Sequence, residues 1–261
     1  NQKEIKEFEF LFNKKFNKNH FLAIGINDLQ KEIKEFEFLF DKKFNENHFL
    51  AIGINDFQKD KNRKKFYNTF SIYDHKLNLI TDYKKVKLVP FGEFLPFEKI
   101  LSKIGLKSLT NNYQSFSGGE SREIIVISEK EFDIKILPLI CYEIIYSGKI
   151  FNDSNFDYII NVSEDGWFGD SIGPYQHFVH SIFRAIESGK YLIRSANNGI
   201  SAIISPIGFI EKKIEFGQSG YIDFQDKRVF KETVFSKYGH KMFLIIILLY
   251  IFLIISFNRI S

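Results

Sequence analysis

Between residues 132 and 207, runs of consecutive apolar residues alternate with one helical segment, and this alternation restricts the possible folds more than any other feature. FDIKILPLIC, YIINVSE, YLIRSAN and ISAIISPIG are short, near-continuously apolar and rich in Ile. Strands of that kind are buried on both faces, so each side of their sheet must be covered. PYQHFVHSIFRAIESGK instead places Phe178, Ile182, Ala185 and Ile186 at helical spacing on one face. Upstream, FYNTFSIYD and KLNLITDYKKV read as a hairpin through Asp74-His75, and EIIVISE pairs with FDIKILPLIC. EIIYSGKIF reads as a short helix, and LVPFGEFLPFEKI as a Pro- and Gly-punctuated loop that enters a helix. The expected class is α/β, with layered sheets covered by helices. With 261 residues, 44% of them hydrophobic, the chain can bury one large core or two small ones.

Charge and residue usage exclude several functions. The net charge is +4, and 36 scattered basic residues are matched by 32 acidic ones, so no nucleic-acid groove is implied. The six histidines lack ligand spacing, so neither a metal nor another cofactor is expected. A single cysteine rules out an intrachain disulfide. The only methionine is Met242, and the chain starts at Asn1 without a signal peptide, so it reads as a fragment or a processed chain.

Residues 3–30 recur as residues 31–58, with differences only at Asn13/Asp41, Lys18/Glu46 and Leu29/Phe57. Each copy reads as an amphipathic helix followed by the strand FLAIGI, and two copies are too few for a solenoid. Only the second copy connects to FYNTFSIYD at the short spacing of neighbouring elements. Phe49 and Ile52 are therefore expected in the sheet core. The first copy is expected at an edge, or in a place left for another upstream segment. The expected organisation is a duplicated helix-strand segment foreign to the fold over 1–30, a catalytic domain over 31–236 and a C-terminal helix with its flank over 237–261.

That helix is MFLIIILLYIFLIISF, residues 242–257, which carries no charge and no breaker. Its sixteen residues rise about 24 Å as a helix, against about 30 Å of bilayer hydrocarbon. Tyr238, Lys241 and Arg259 flank it as interfacial anchors. A buried core helix is the alternative. The lack of any amphipathic face favours a transmembrane helix.

The lone cysteine, Cys141, ends the strand-like run IKILPLI and precedes EIIYSG, so it sits on a tight strand-to-helix turn. Such a turn presents a nucleophile, and a helix start favours its thiolate. The other reading is a small buried hydrophobe. Lys84, Lys85 and Lys87 stand just before a loop that holds Glu93. One of them can steady an oxyanion or a thiolate, or all three can be a solvated charge run.

In this order, YKKVKLVPFGEFLP, CYEI, EDGWFGDSIGPYQH, FRAIES and RSANNGISAIISPIG resemble the nitrilase (carbon–nitrogen hydrolase) superfamily. More narrowly they resemble its apolipoprotein N-acyltransferase branch of integral membrane enzymes. The resemblance covers roughly residues 47–258. It implies a nitrilase-like four-layer α-β-β-α sandwich with a Glu–Lys–Cys triad at the strand ends. Cys141 then matches the nucleophile and Lys85 the catalytic lysine of the Tyr83-to-Glu93 pattern, which leaves Lys84 and Lys87 at the surface. Glu93 and Glu143 match further acids near the thiol. Trp167 and Phe168 match a loop that lines the site mouth, with ordinary packing as the alternative. His177 and Arg184, seven apart on a helix, match residue types for which hydrogen bonding is expected rather than chemistry.

Two departures stand out. Glu164, Asp165 and Gly166 replace the family's usual N-D-A before WFG, which is expected to loosen that loop. The family's triad glutamate lies in a W-P-E motif upstream of the FLAIGI-like strand. Here no Trp precedes Trp167 and no Pro precedes Pro90. By resemblance the function is transfer of a fatty acyl chain from a phospholipid donor, through a cysteine thioester, to a diacylglyceryl apolipoprotein acceptor. The implied location is a bacterial inner membrane, with the domain on the periplasmic side. A small-amide hydrolase and an inactive membrane-anchored fragment are the rival readings.

Overall fold

The apolar runs form strands in a computed structural model that describes residues 20–25, 46, 48–60, 63–97, 115–129, 132–148, 155–225, 227–229 and 232–260. β1 (His20–Gly25), β2 (His48–Asp60), β3 (Arg63–Tyr73) and β4 (Leu79–Lys84) make a four-stranded sheet in that order. β5 (Ile125–Glu129), β6 (Phe132–Ile140), β7 (Tyr158–Glu164), β8 (Tyr191–Asn197), β9 (Ser201–Ile204) and β10 (Ile210–Ile214) make a six-stranded sheet ordered β10-β9-β8-β7-β6-β5. β6, β7 and β8 run parallel at its centre, and the outer pairs are antiparallel. The expected β3–β4 hairpin is present, and the Asp74 carboxylate closes its turn on the Lys76 and Asn78 N–H groups.

Strand side chains alternate between faces, and this produces two cores. Phe49, Phe70 and Ile72 of the small sheet pack against Ile136, Ile140, Ile160 and Val162 of the large one. On the other face of the large sheet, Leu137, Leu139, Ile159 and Leu192 pack against Phe178 and Ala185 of α1 (Gly173–Ser188). Two sheets and α1 therefore give three layers of an α/β sandwich. The helices expected from the repeat copies and after LVPFGEFLP lie outside the described residues. At Gly53 the sheets approach so closely that a Cβ would sit 3.0 Å from Val162 Cγ2. The α1 expectation needs one correction: Ile186 is exposed, while Phe178 and Ala185 are buried.

β1 pairs in parallel with β2, each residue of HFLAIG lying beside its own duplicate from His20↔His48 to Gly25↔Gly53. β1 takes the sheet edge, and β2 lies between it and β3 with Phe49 and Ile52 fully buried. The copies are chemically equal, so the tie decides. β2 and β3 are joined across Asp60↔Arg63, and this short link holds the second copy inside the sheet.

The expected C-terminal transmembrane helix is corrected. α2 (Val234–Tyr238) and α3 (Lys241–Ile260) form there. Among the described residues, however, no helix is long and apolar enough to cross a membrane. The physical reason is length, since the uncharged run 242–257 ends between Lys241 and Arg259 some 6 Å short of the hydrocarbon thickness. The large apolar side chains from Phe243 to Phe257 are 38–69% exposed. His240 Nε2, 2.8 Å from Ser147 O, ties the start of α3 to the segment after Cys141.

Candidate active site

β6 ends at Ile140, and the chain enters a 3-10 turn, Cys141–Ile145, where a short helix was expected to begin near Glu143. Cys141 has φ of 48°, in the left-handed region. A non-glycine residue there costs about 1–3 kcal/mol, which surrounding contacts must hold. The contacts are present. Ile140 N–H donates to Glu143 Oε2 (3.0 Å), and Arg184 Nη1 donates to both Ile144 O and Ile145 O (3.1 Å each). His177 Nε2 lies 3.2 Å from Cys141 O. The half-buried thiol reaches Glu164 O at 4.0 Å and packs on the inter-sheet core beside Val86.

Lys85 follows β4 and is completely buried, with Nζ 2.7 Å from Glu93 Oε1. Glu93 also accepts from Asn68 Nδ2 (2.5 Å) and Val89 N–H (2.8 Å), which folds the 89–93 turn back over the lysine. Lys84 instead lies over the Tyr67 ring at 4.8 Å, and Lys87 is exposed. Burial thus separates Lys85 from its two neighbours, and Lys84 is half-buried rather than at the surface.

Glu143 is buried and its Oε1 accepts from Tyr83 Oη (2.9 Å), Val86 N–H (3.0 Å), Lys87 N–H (3.1 Å) and Arg122 Nη2 (3.1 Å). One carboxylate therefore clamps the lysine segment to the cysteine turn. Burial, and then the Glu143 charge, push the Tyr83 phenol well above its ordinary range. Burial opposes the Arg122 charge, but Glu143 and Tyr83 outweigh it and hold the guanidinium above its usual value. With five donors on it, Glu143 is a clamp rather than a free acid or base.

The two residues expected at the site mouth behave differently. Trp167 is 81% exposed, which removes the packing alternative for it. Phe168 is half-buried, 5.3 Å from the His177 ring. The expected loosening of this loop is corrected. Glu164 accepts from Gly166 N–H (2.8 Å), Asn197 Nδ2 (2.6 Å) and Asn198 Nδ2 (3.1 Å), so it ties the loop to the end of β8. A Cβ at Gly166 would meet that carboxylate at 2.6 Å, so a side chain there would displace the end of Glu164.

Asp165, Arg194, Arg122 and Asn68 had no signal beyond their residue types. Asp165 is buried and accepts from Ser163 Oγ (2.7 Å) and Arg194 Nη2 (2.7 Å), with His177 Nδ1 2.9 Å away. Burial raises its affinity for a proton, but His177 and Arg194 outweigh this and hold the carboxyl below its ordinary range. Burial lowers His177; the Asp165 bond opposes this, Arg194 adds to it, and the ring ends below its ordinary value of 6.5.

The His177 shift has a direct consequence for stability. Unfolding frees a ring that takes up a proton below pH 6.5, so stability should fall as pH drops from that value toward the folded ring's lower one. His180, lowered by burial and then by Arg184, acts in the same direction, whereas Asp165 matters only below its ordinary 3.8. Thermal midpoints should decline from pH 7 to 5, and less steeply for His177→Gln. A flat wild-type profile would reject this.

Residues 10–223 match the family model described as carbon-nitrogen hydrolase. Similar curated proteins carry the name apolipoprotein N-acyltransferase. The one from Rhizobium rhizogenes is 40% identical over 160 residues, 61% of this chain and 30% of that protein. The one from Rickettsia prowazekii is 39% identical over 187 residues, 69% of this chain and 36% of that protein. The chain thus spans about a third of the length of these relatives. Among solved structures, a Saccharomyces cerevisiae member of branch 10 of the nitrilase superfamily superposes with a TM-score of 0.57. It is 16% identical, with 84% of this chain and 80% of that one covered, and supports the fold alone.

Proposed function

The chain belongs to the carbon-nitrogen hydrolase family, and on that premise we propose that it carries the thiol half of a phospholipid-to-lipoprotein acyltransferase. The observation that carries this is the left-handed Cys141 turn, clamped through Glu143 to the segment of the buried Lys85. The names of the relatives support N-acyl transfer to an apolipoprotein, and the phospholipid donor is part of the proposal.

In the proposed cycle, the Cys141 thiolate attacks an ester carbonyl of a phospholipid and its electron pair moves onto the carbonyl oxygen. Lys85 Nζ steadies that oxyanion. When the oxyanion collapses, the carbon–oxygen ester bond breaks. The lysophospholipid alkoxide takes, through solvent, the proton that the thiol gave up on forming the thiolate, and an acyl thioester remains on Sγ. The α-amine of a diacylglyceryl-cysteine then attacks the thioester, loses a proton and forms the amide, which returns the thiol. Glu143 and Glu93 hold the turn and the lysine, and Trp167 and Phe168 meet the incoming lipid. No cofactor enters the cycle.

We place the reaction at a bacterial inner membrane, with the domain on its periplasmic side. The exposed apolar sides of α3 support contact with lipid. The test uses the purified chain with vesicles of phosphatidylethanolamine and phosphatidylglycerol. Intact-mass spectrometry should show one hydroxylamine-sensitive fatty acyl adduct, with an equivalent of lysophospholipid released. A chain that stays unacylated but frees ammonia from small amides would instead be a hydrolase.

A further inference from the structure

The side of the sheet on which Cys141 lies does not follow from the strand that delivers it. Along β6, Leu137 and Leu139 face the core under α1, while Ile136 and Ile140 face the core between the sheets. Side chains alternate, so an extended residue 141 would follow Leu139 and bury its thiol under the helix. The thiol instead packs on the inter-sheet core, on the side of Tyr83 and Val86. The left-handed φ of 48° accounts for the change of side.

A conformation of that kind persists only where contacts impose it. The peptide carbonyl of Cys141 is the atom whose direction reports the turn, and its side-chain partner is His177 Nε2 at 3.2 Å. A carbonyl can only accept, so Nε2 carries the proton. Nδ1 lies 3.1 Å from Arg194 Nη2 and 2.9 Å from Asp165 Oδ1, and the same Nη2 donates to Asp165 Oδ2 (2.7 Å). His177, Asp165 and Arg194 are each at most 3% exposed, so water does not compete for these bonds. The ring is further held by Tyr142 on one side (5.9 Å) and Phe168 (5.3 Å). Asp165 adjoins Glu164, whose carbonyl receives the thiol. The contacts therefore close a ring: Sγ, Glu164 O, the Asp165 side chain, the imidazole and Cys141 O.

We propose that His177 is a positioning residue, whose Nε2–H bond to the Cys141 carbonyl holds the thiol on the inter-sheet side. It touches no reacting atom. This reading is separable from acyl transfer, because presentation of the thiol can be measured without lipid.

The test alkylates the single cysteine with iodoacetamide and follows the mass of the intact chain. His177→Gln keeps a donor near the Nε2 position, whereas His177→Asn keeps one near Nδ1 and loses the bond to Cys141 O. His177→Asn should alkylate at least about tenfold more slowly than wild type, as the relaxed turn carries the thiol under α1. His177→Gln should stay within about threefold. Wild-type alkylation by His177→Asn overturns the proposal. So does a His177→Gln variant that is as slow as His177→Asn or does not fold, and so does a wild-type thiol that the reagent fails to reach. If the pattern holds while no acyl group is taken from phospholipid, only the acyltransferase reading fails.

Discussion

Cys141→Ser should yield no acyl-enzyme with a phospholipid donor, while the fold melts within a few degrees of wild type. The side chain is half-buried and its polar contact to Glu164 O is a long one, 4.0 Å, so an oxygen in place of the sulfur disturbs little. The chemical effect is large by comparison. A thiol is intrinsically a strong nucleophile, whereas a serine hydroxyl needs a base dedicated to it. The carboxylates beside the lysine and the cysteine turn are already engaged, Glu93 with Lys85, Asn68 and Val89, and Glu143 with five donors. Neither is free to activate a hydroxyl. The chain has one cysteine, so any acyl adduct that persists in the serine variant lies elsewhere and disproves the assignment.

Lys85→Ala should lower the rate of thioester formation by at least about a hundredfold, on the scale of losing one oxyanion stabiliser. Lys84→Ala should change it little. The difference rests on burial and partners. Lys85 is fully buried and paired with Glu93, whereas half-buried Lys84 gives up its cation–π contact with the Tyr67 ring. Removing Lys85 also leaves Glu93 without its charged partner, so melting temperatures must accompany the rates. If Lys85→Met, which keeps much of the stem, melts like wild type and still loses the rate, the loss belongs to chemistry. Equal losses at Lys84 and Lys85 would show that the wrong lysine was chosen.

The site was legible where its residues stand close together in the chain. Lys85 and Glu93 are eight residues apart and share one motif, and Cys141 and Glu143 share another. The role of Glu143 was not legible. Its partners Val86 and Lys87 lie 57 and 56 residues away, and a carboxylate near a thiol reads equally well as an acid, a base or a clamp. The Glu164 substitution misled for a similar reason. Its partners Asn197 and Asn198 come from another strand end, 33 and 34 residues on, and only their approach turns an apparent departure into a tie.

The sequence alone determined the strands, the helix α1 and the family. Those properties rest on local periodicity and on short motifs whose residues meet without the rest of the chain. Tertiary structure alone decided three other matters. It chose which of two near-identical strands lies inside the sheet, because equal propensities are separated only by the short tie to β3. It set the side on which Cys141 lies, because a left-handed residue is held by a histidine 36 positions away. It also left the apolar sides of α3 exposed, because burial, unlike apolar composition, depends on where a helix packs.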